Sequence, residues 1–460
     1  LFTGVPGSGF RMACVTIRKK LRRATKAFGE IANREKSLKE RLQAVAHLMA
    51  GNFLGSIVGL AGFALTARAL GPADYGVLAL CFAFTRAVER LVSFQSWQPL
   101  IKFGAEAKEA GRDDDLRVIL KFGLLLDVSA AIAGCLIAVL LVLFAAPLIG
   151  VSQETRGLVL MYCFVLPFQL SGMPTAVLRL FGRFTSLAYG QVISSMLRVL
   201  LCLLGYLAGA GLFAFALIWM AAQVLSSISL VVFSLVALRR EGLLDGLATA
   251  SLAQLRTRFP GLWKFAISAN ISLTIRASAN ELDTLLVGYL ADPASAGLFH
   301  IAKRVGRLAQ QAGVQVQTVL YPELARTWVA GARAEFRRAV FQTQWLLLAL
   351  GIAMIGAFYV TIEPLLRWTA GPQFVGAAPL VIVQSIAVTM TLVGAVFRSA
   401  LLAMGEEHKI LSSVIVSVVG FYVTALIFIP QIGAMGANVA HIVMSTIWLA
   451  SMYVAYRRHV

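Results

Sequence analysis

An all-α polytopic membrane protein, about twelve transmembrane helices in two pseudo-symmetric six-helix bundles, is what this sequence predicts. Three observations carry that expectation. Hydrophobic residues make up 59% of the chain and charged residues only 14%, and the mean hydropathy is +0.80. Lys and Arg gather in alternate loops. The two halves also repeat: Leu70-Gly71-Pro72-Ala73-Asp74-Tyr75-Gly76 parallels the run from Leu290 to Gly297 with one extra residue.

Apolar windows of about 20 residues, enough for a hydrocarbon core of roughly 30 Å, place spans near 44–69, 76–101, 118–146, 157–178, 186–207 and 211–237 in the first half. The second half has them near 262–290, 297–321, 339–362, 376–402, 410–430 and 436–456. The chain therefore divides into a basic arm (1–43), a first bundle (44–238), a basic linker (239–261) and a second bundle (262–460).

The arm carries eleven Lys and Arg residues from Arg11 to Arg41, which predicts a cytoplasmic amino terminus. Alternate loops agree, with Lys102, Lys108, Arg112 and Arg117, then Arg179 and Arg183, Arg239 and Arg240, Arg326 to Arg338, and Arg457 and Arg458. The opposite loops offer Arg156 and Arg367. Both termini are thus expected inside. This bias accounts for most of the net charge of +19 as a topology signal that meets anionic lipid, and no nucleic-acid partner is expected. Residues 1–43 lack an apolar core with a small-residue cleavage site, so no cleavable signal peptide is expected, and Met12 is a candidate start.

In the first span Gly51, Gly55, Gly59 and Gly62 recur at helical spacing, as close helix packing requires. In the second, Arg86, Glu89, Arg90, Ser93 and Trp97 share one face at about 100° per residue. Asp127 lies in the third span. Pro167 and Pro174 are expected to kink the fourth, and Arg198 lies deep in the fifth. The seventh span puts Ser268, Ser272, Arg276, Asn280 and Asp283 on one broad face beside Glu281. The eighth contains Lys303, Arg304 and Arg307 with no acidic residue within a helical turn or two. There His300, Arg304, Arg307, Gln311, Gln315 and Thr318 form one narrow face.

Aligning Gly76 with Gly297 superposes Arg86 on Arg307, each roughly 15 Å from its helix end. Charge at that depth is costly and marks a bundle interior or a water-filled path. Arg suits an anion there, because its guanidinium stays charged and offers forked hydrogen bonds to phosphate oxygens. The expected cationic cavity comprises Arg86, Arg90, Arg198, Arg276, Lys303, Arg304, Arg307, Gln311 and Gln315. Glu89, Asp127, Glu281 and Asp283 are candidates for ion coupling. Arg86 with Glu89, and Arg198 or Arg276 with Asp127 or Asp283, also read as local ion pairs. Among the histidines only His300 sits with other polar groups. Cys14, Cys81, Cys135, Cys163 and Cys202 show neither a disulfide framework nor metal-ligand spacing, so no metal or cofactor is expected.

The stretch Thr66-Ala67-Arg68-Ala69-Leu70-Gly71-Pro72-Ala73-Asp74-Tyr75-Gly76 resembles the signature of bacterial polysaccharide transporters, the oligosaccharide-lipid flippases of the multidrug/oligosaccharidyl-lipid/polysaccharide superfamily. Leu282-Asp283-Thr284-Leu285-Leu286-Val287-Gly288, then Ala296-Gly297-Leu298 and Pro322, resembles them too. The resemblance spans roughly residues 44–456. It implies a MATE-like fold and a flippase in the bacterial inner membrane. The implied task is moving an undecaprenyl-pyrophosphate-linked oligosaccharide from the inner to the outer leaflet by alternating access, for lipopolysaccharide-type surface polysaccharides. The lipid-linked substrate, membrane lipids and other polysaccharide assembly proteins are the implied partners.

A multidrug exporter of the same superfamily is the nearer alternative, though cationic substrates suit an acidic cavity better. A peptidoglycan-precursor flippase would share the basic cavity but have two more helices. A glycosyltransferase or polymerase would draw on Asp113, Asp114 and Asp115, a run that equally suits a helix amino terminus. No phosphate-binding loop of the Gly-x-x-x-x-Gly-Lys-Ser/Thr type is present, and the chain is not expected to be an enzyme.

Overall fold

The structure, a computed structural model, describes residues 55–93, 96–145, 153–253 and 255–459. The basic arm, Cys14 and Gly51 lie outside them. The first helical stretch, α1 (Gly55–Val92), reverses at Gly71, whose φ of +74° suits only glycine. Pro72 follows and fixes the return. Phe63 and Phe82 would lie roughly 28 Å apart on a straight helix, yet their ring centroids are 6.1 Å apart. Two antiparallel limbs result, as the repeated connector implies.

The second limb stops at Val92 instead of running to residue 101, and the chain resumes as α2 (Trp97–Glu109). The break has a distant partner: Ser96 turns its hydroxyl to Asp127 Oδ1, at 2.6 Å, which ties the start of α2 to the helix that follows. The next long helix is α3 (Asp113–Ala145). The fourth expected span is two short helices, α4 (Arg156–Cys163) and α5 (Gly172–Leu180), with a tight turn at Leu166–Phe168 between them. Pro167 makes that break. Pro174 does not kink anything, because it falls in the first turn of α5, where no intrahelical donor is needed.

The rest follows the expected order with longer ends: α6 (Phe184–Leu207), α7 (Leu212–Arg240), the short α8 (Leu255–Arg258), α9 (Leu262–Leu290), α10 (Pro293–Val329), α11 (Arg333–Thr369), α12 (Ala378–Ala403), α13 (Glu407–Ile432) and α14 (Ala434–Arg457). Pro293 opens α10 and Asp292 caps it by accepting from Ser295 N at 2.8 Å. Among the described residues, nine helices are long and apolar enough to cross a membrane. The polar α9 and α10 are not among these nine; the residues that take them out of the count are the ones expected to do the chemistry.

Gly55, Gly59 and Gly62 face α6, where a Cβ on Gly55 would come within 3.1 Å of Gln191 and one on Gly62 within 3.4 Å of Val199. The close packing expected of the first span is present for these three. The stretch expected as a linker is also packed: Leu243, Leu247, Leu255 and Phe259 join a core with Leu100, Phe103, Leu116 and Met173. Lys121 Nζ donates to the carbonyls of Ala248 and Ala250 (2.6 and 2.8 Å), and Arg258 pairs with Asp115 at 3.1 Å. Asp115 also pairs with Arg112, and Asp114 with Arg117 (2.8 and 2.9 Å), so the acidic run opens α3 and anchors this cap.

Candidate functional site: an arginine cluster between the two halves

The halves meet where the duplication aligns them. A Cβ on Gly297 would fall 2.7 Å from Pro72 O and 3.1 Å from Gly76 Cα, and one on Gly76 would fall 1.7 Å from Pro293 O. The second limb of α1 therefore crosses α10 backbone to backbone, and only glycine permits that approach. Around the crossing, Arg68 Nη1 donates to Trp368 O at 2.5 Å. The Tyr75 ring packs edge-on to Phe374 with centroids 5.6 Å apart. One apolar cluster spans both halves here, from Phe63, Tyr75 and Leu78 to Phe299, Phe374 and Phe421.

Beyond this seal α10 turns its charged face inward. Arg304 Nε donates to His300 Nε2 at 3.4 Å, so that nitrogen is an acceptor, and the ring proton on Nδ1 meets Tyr75 Oη at 2.8 Å. The Arg304 guanidinium lies 4.0 Å from the Phe63 ring centroid and 5.0 Å from that of Phe82. Arg198, from α6, reaches the same Phe63 ring at 5.5 Å. Contacts of this kind stabilise a desolvated guanidinium by about 0.5–2 kcal/mol each. Arg304 is in electrostatic range of Arg307, Arg198 and Arg86. Four guanidinium groups from α1, α6 and α10 thus converge.

Their counter-charge is thin. Arg86 pairs with Glu89 at 2.8 Å and is in range of Glu281, which makes the local-pair reading of Arg86 and Glu89 correct as geometry. Arg304 Nη2 and Arg198 Nε are buried with no hydrogen-bond partner. An unsatisfied buried donor costs on the order of 1–3 kcal/mol, more when charged. The side chain of Gln311 donates to Ser56 Oγ at 2.7 Å while its own Oε1 is buried without a partner, which adds a neutral acceptor beside the cluster.

Other expected residues go elsewhere. Lys303 is not a free cavity cation: its Nζ sits 2.5 Å from Asp283 Oδ1 and on the Asn280 carbonyl. The acid absent from its own helix is supplied by α9. Asp283 Oδ2 meets His441 Nε2 at 3.0 Å, so His300 is not alone in keeping polar company. Asp127 accepts from Ser96 Oγ and from Met173 N, each at 2.6 Å, and so caps the start of α5. It pairs with neither Arg198 nor, among the described contacts, any other cation. Arg90 lines a separate cleft in the first half with Glu89, Trp97, Asp127, Gln169 and Gly172. The side chains of Arg276, Gln315, Ser268 and Ser272 lie outside the described residues.

Residues 65–379 match the family model described as "Polysaccharide biosynthesis protein". The chain belongs to that family. The match includes Arg86, Arg198, Arg304 and Arg307 and stops short of His441. This family member is 25% identical over 345 residues to the inner membrane protein YghQ of Escherichia coli (strain K12), covering 73% of this chain and 94% of that one. Its fold is that of the lipid II flippase MurJ in an inward closed conformation, with a TM-score of 0.69, 14% identity, and coverage of 89% of this chain and 87% of the other. It is likewise similar to a multidrug resistance MATE family transporter in an inward-facing conformation, with a TM-score of 0.64 and 13% identity over 90% of this chain and 94% of the other. The MATE-like fold expected from the sequence is therefore correct.

Sequence reasoning missed three features of this candidate site: the aromatic wall in which the Trp219 ring packs edge-on to Phe63 and Phe82, with centroids 4.7 and 5.7 Å apart, the pairing of Lys303, and the position of His441. Phe63 is one of 28 phenylalanines and carried no signal of its own.

Proposed function

We infer that this protein is a flippase, not an enzyme, that carries an undecaprenyl-pyrophosphate-linked oligosaccharide from the inner to the outer leaflet of the bacterial cytoplasmic membrane. One observation carries this reading. Buried guanidinium donors of Arg198 and Arg304 have no partner, beside Arg86 and Arg307, between two halves of a chain that belongs to a polysaccharide biosynthesis family. A pyrophosphate supplies the missing acceptors and charge, and Arg forks fit phosphate oxygens in pairs.

Alternating access is the mechanism. The Gly76–Gly297 crossing closes one end of the cleft, and transport requires that contact to part while the other end closes. The two bundles move as lobes of about six helices each, with the packed 239–261 stretch travelling with the first. Twelve spans, both termini in the cytoplasm, fit the alternating Lys and Arg of the loops. The polyprenyl tail stays in lipid, and other polysaccharide assembly proteins supply and remove the substrate.

A multidrug exporter is the second reading, favoured by the likeness to MATE family transporters. Clustered Arg disfavours cationic drugs. Proteoliposomes separate the two: a polyprenyl-pyrophosphate oligosaccharide should become accessible to an external glycan-cleaving enzyme only when the protein is present. Transport of cationic dyes with no glycan exposure, across several glycans, would overturn the flippase reading.

A further inference from the structure

The second half contains a buried charge cluster that the cleft does not use. Asp283 is fully buried, and its two oxygens are fully engaged: Oδ1 by Lys303 Nζ at 2.5 Å and by the Thr284 backbone and hydroxyl, Oδ2 by His441 Nε2 at 3.0 Å. Three helices, α9, α10 and α14, are tied at this one carboxylate. A cavity of about 220 Å³ adjoins it, its wall mostly apolar surface from side chains such as Val388, Leu392 and Met444, with Asn280, Gln384 and His441 among its polar members. Gln384 Oε1 is buried there without a partner. His441 lines the cavity and touches Asp283, whereas Asp283 itself does not line it. Any proton reaching the carboxylate from that cavity has His441 in its way.

Among the described residues, charged and titratable neighbours reach this site from α9, α10 and α13. Lys303 senses Arg307 on its own helix and Glu281 on α9, Tyr422 on α13 senses Asp283, and the His441 ring packs between Phe299 and Phe421 at 6.2 and 4.9 Å. Glu281 is in electrostatic range of both Lys303 and Arg86.

We propose that His441 and Asp283 form a proton-binding site that couples transport to a proton gradient, with Lys303 as its output. A proton taken up by His441 Nδ1 from the cavity is matched by transfer of the Nε2 proton to Asp283 Oδ2. The imidazole ends neutral, the carboxyl ends neutral, and one proton has been bound. Lys303 then has no counter-ion on Asp283, and Glu281 on α9 is the other carboxylate whose charge acts on it. Glu281 otherwise helps balance Arg86, so drawing it toward Lys303 leaves Arg86 freer for an anion. Proton binding in the second lobe is thereby linked to anion binding in the cleft, and by linkage the anion favours proton uptake equally. The ammonium already holds the carboxylate, so an external metal cation has no open ligand there.

This proposal rests on the flippase reading, and two measurements keep the two apart. The first needs no substrate. Infrared difference spectra of the protein in nanodiscs, neutral minus acidic, should show a protonated-carboxyl band that vanishes in Asp283→Asn and shifts to lower pH in His441→Gln. The second is glycan flipping with a proton gradient imposed in either direction. The wild-type rate should change by about fivefold or more, and the response should be lost in His441→Gln. Should that variant fail to assemble, the charge-balanced Asp283→Asn, Lys303→Gln double variant should show neither the band nor the gradient response. A band unaffected by His441→Gln, or a gradient response that survives it, overturns the proposal. Flipping without any Asp283 band leaves the flippase and removes the proton site. A His441-dependent band without flipping of any glycan keeps the proton site and removes the flippase reading.

Discussion

The two halves share a crossing and differ in how each treats a buried carboxylate. In the first, Asp127 accepts from a hydroxyl and a backbone amide, Ser96 Oγ and Met173 N, and its work is to hold two broken helices together. In the second, Asp283 binds an ammonium and an imidazole and holds three long helices by charge. Duplication kept the backbone contact that only glycine allows and let the chemistry beside it diverge. One half became a scaffold with a capped break; the other became a polar core in which charge can be redistributed.

The largest effect should come from the shared feature. Gly76→Ala and Gly297→Ala place a methyl group against backbone, 1.7 Å from Pro293 O in the first case and 2.7 Å from Pro72 O in the second. Neither helix can yield by rotating a side chain. We expect each variant to lower the melting temperature in detergent strongly, with Gly76→Ala the worse; unchanged melting would mean that the crossing is not a fixed contact.

Next comes the contrast of carboxylates. Asp283→Asn leaves Lys303 as an unpaired buried cation, a loss of about 3–5 kcal/mol. Asp127→Asn leaves only neutral donors around a neutral acceptor, a loss nearer ~1 kcal/mol. Melting of the two variants side by side checks the order, and equal losses would erase the distinction between the halves.

Arg198→Ala and Arg304→Ala should abolish flipping with only a modest loss of stability, because each removes a buried donor that has no partner together with the ring contacts that hold the guanidinium. Transport should fall far more than melting. A smaller effect is expected of Phe63→Leu, which removes the ring beneath both guanidinium groups and should weaken substrate binding by about 1 kcal/mol. Arg90→Ala should change flipping least, since Arg90 lines the first-half cleft instead of joining the cluster.

Much of this was legible in the chain. The Gly76–Gly297 alignment marked the crossing, and helical phase put Arg304, Arg307 and Gln311 on one face. Lys303 shows where such reading stops. Phase identifies residues on one face of a helix but not what the neighbouring helix presents there, so an acid 20 residues away in sequence was invisible. The tie at Ser96 was hidden for the same reason, its partner lying 31 residues ahead at Asp127. Pro174 misled because proline breaks a helix only in its interior, and the start of α5 is fixed by that same distant carboxylate.

The central claim is that the arginines between the halves, with buried donors of Arg198 and Arg304 left without partners, receive the anionic head of a lipid-linked glycan. Leaflet-resolved flipping by the Arg198→Ala, Arg304→Ala double variant, beside wild type and with melting measured on the same preparations, tests it most directly. The account expects a stable protein that no longer exposes the glycan; wild-type exposure by the double variant would contradict it.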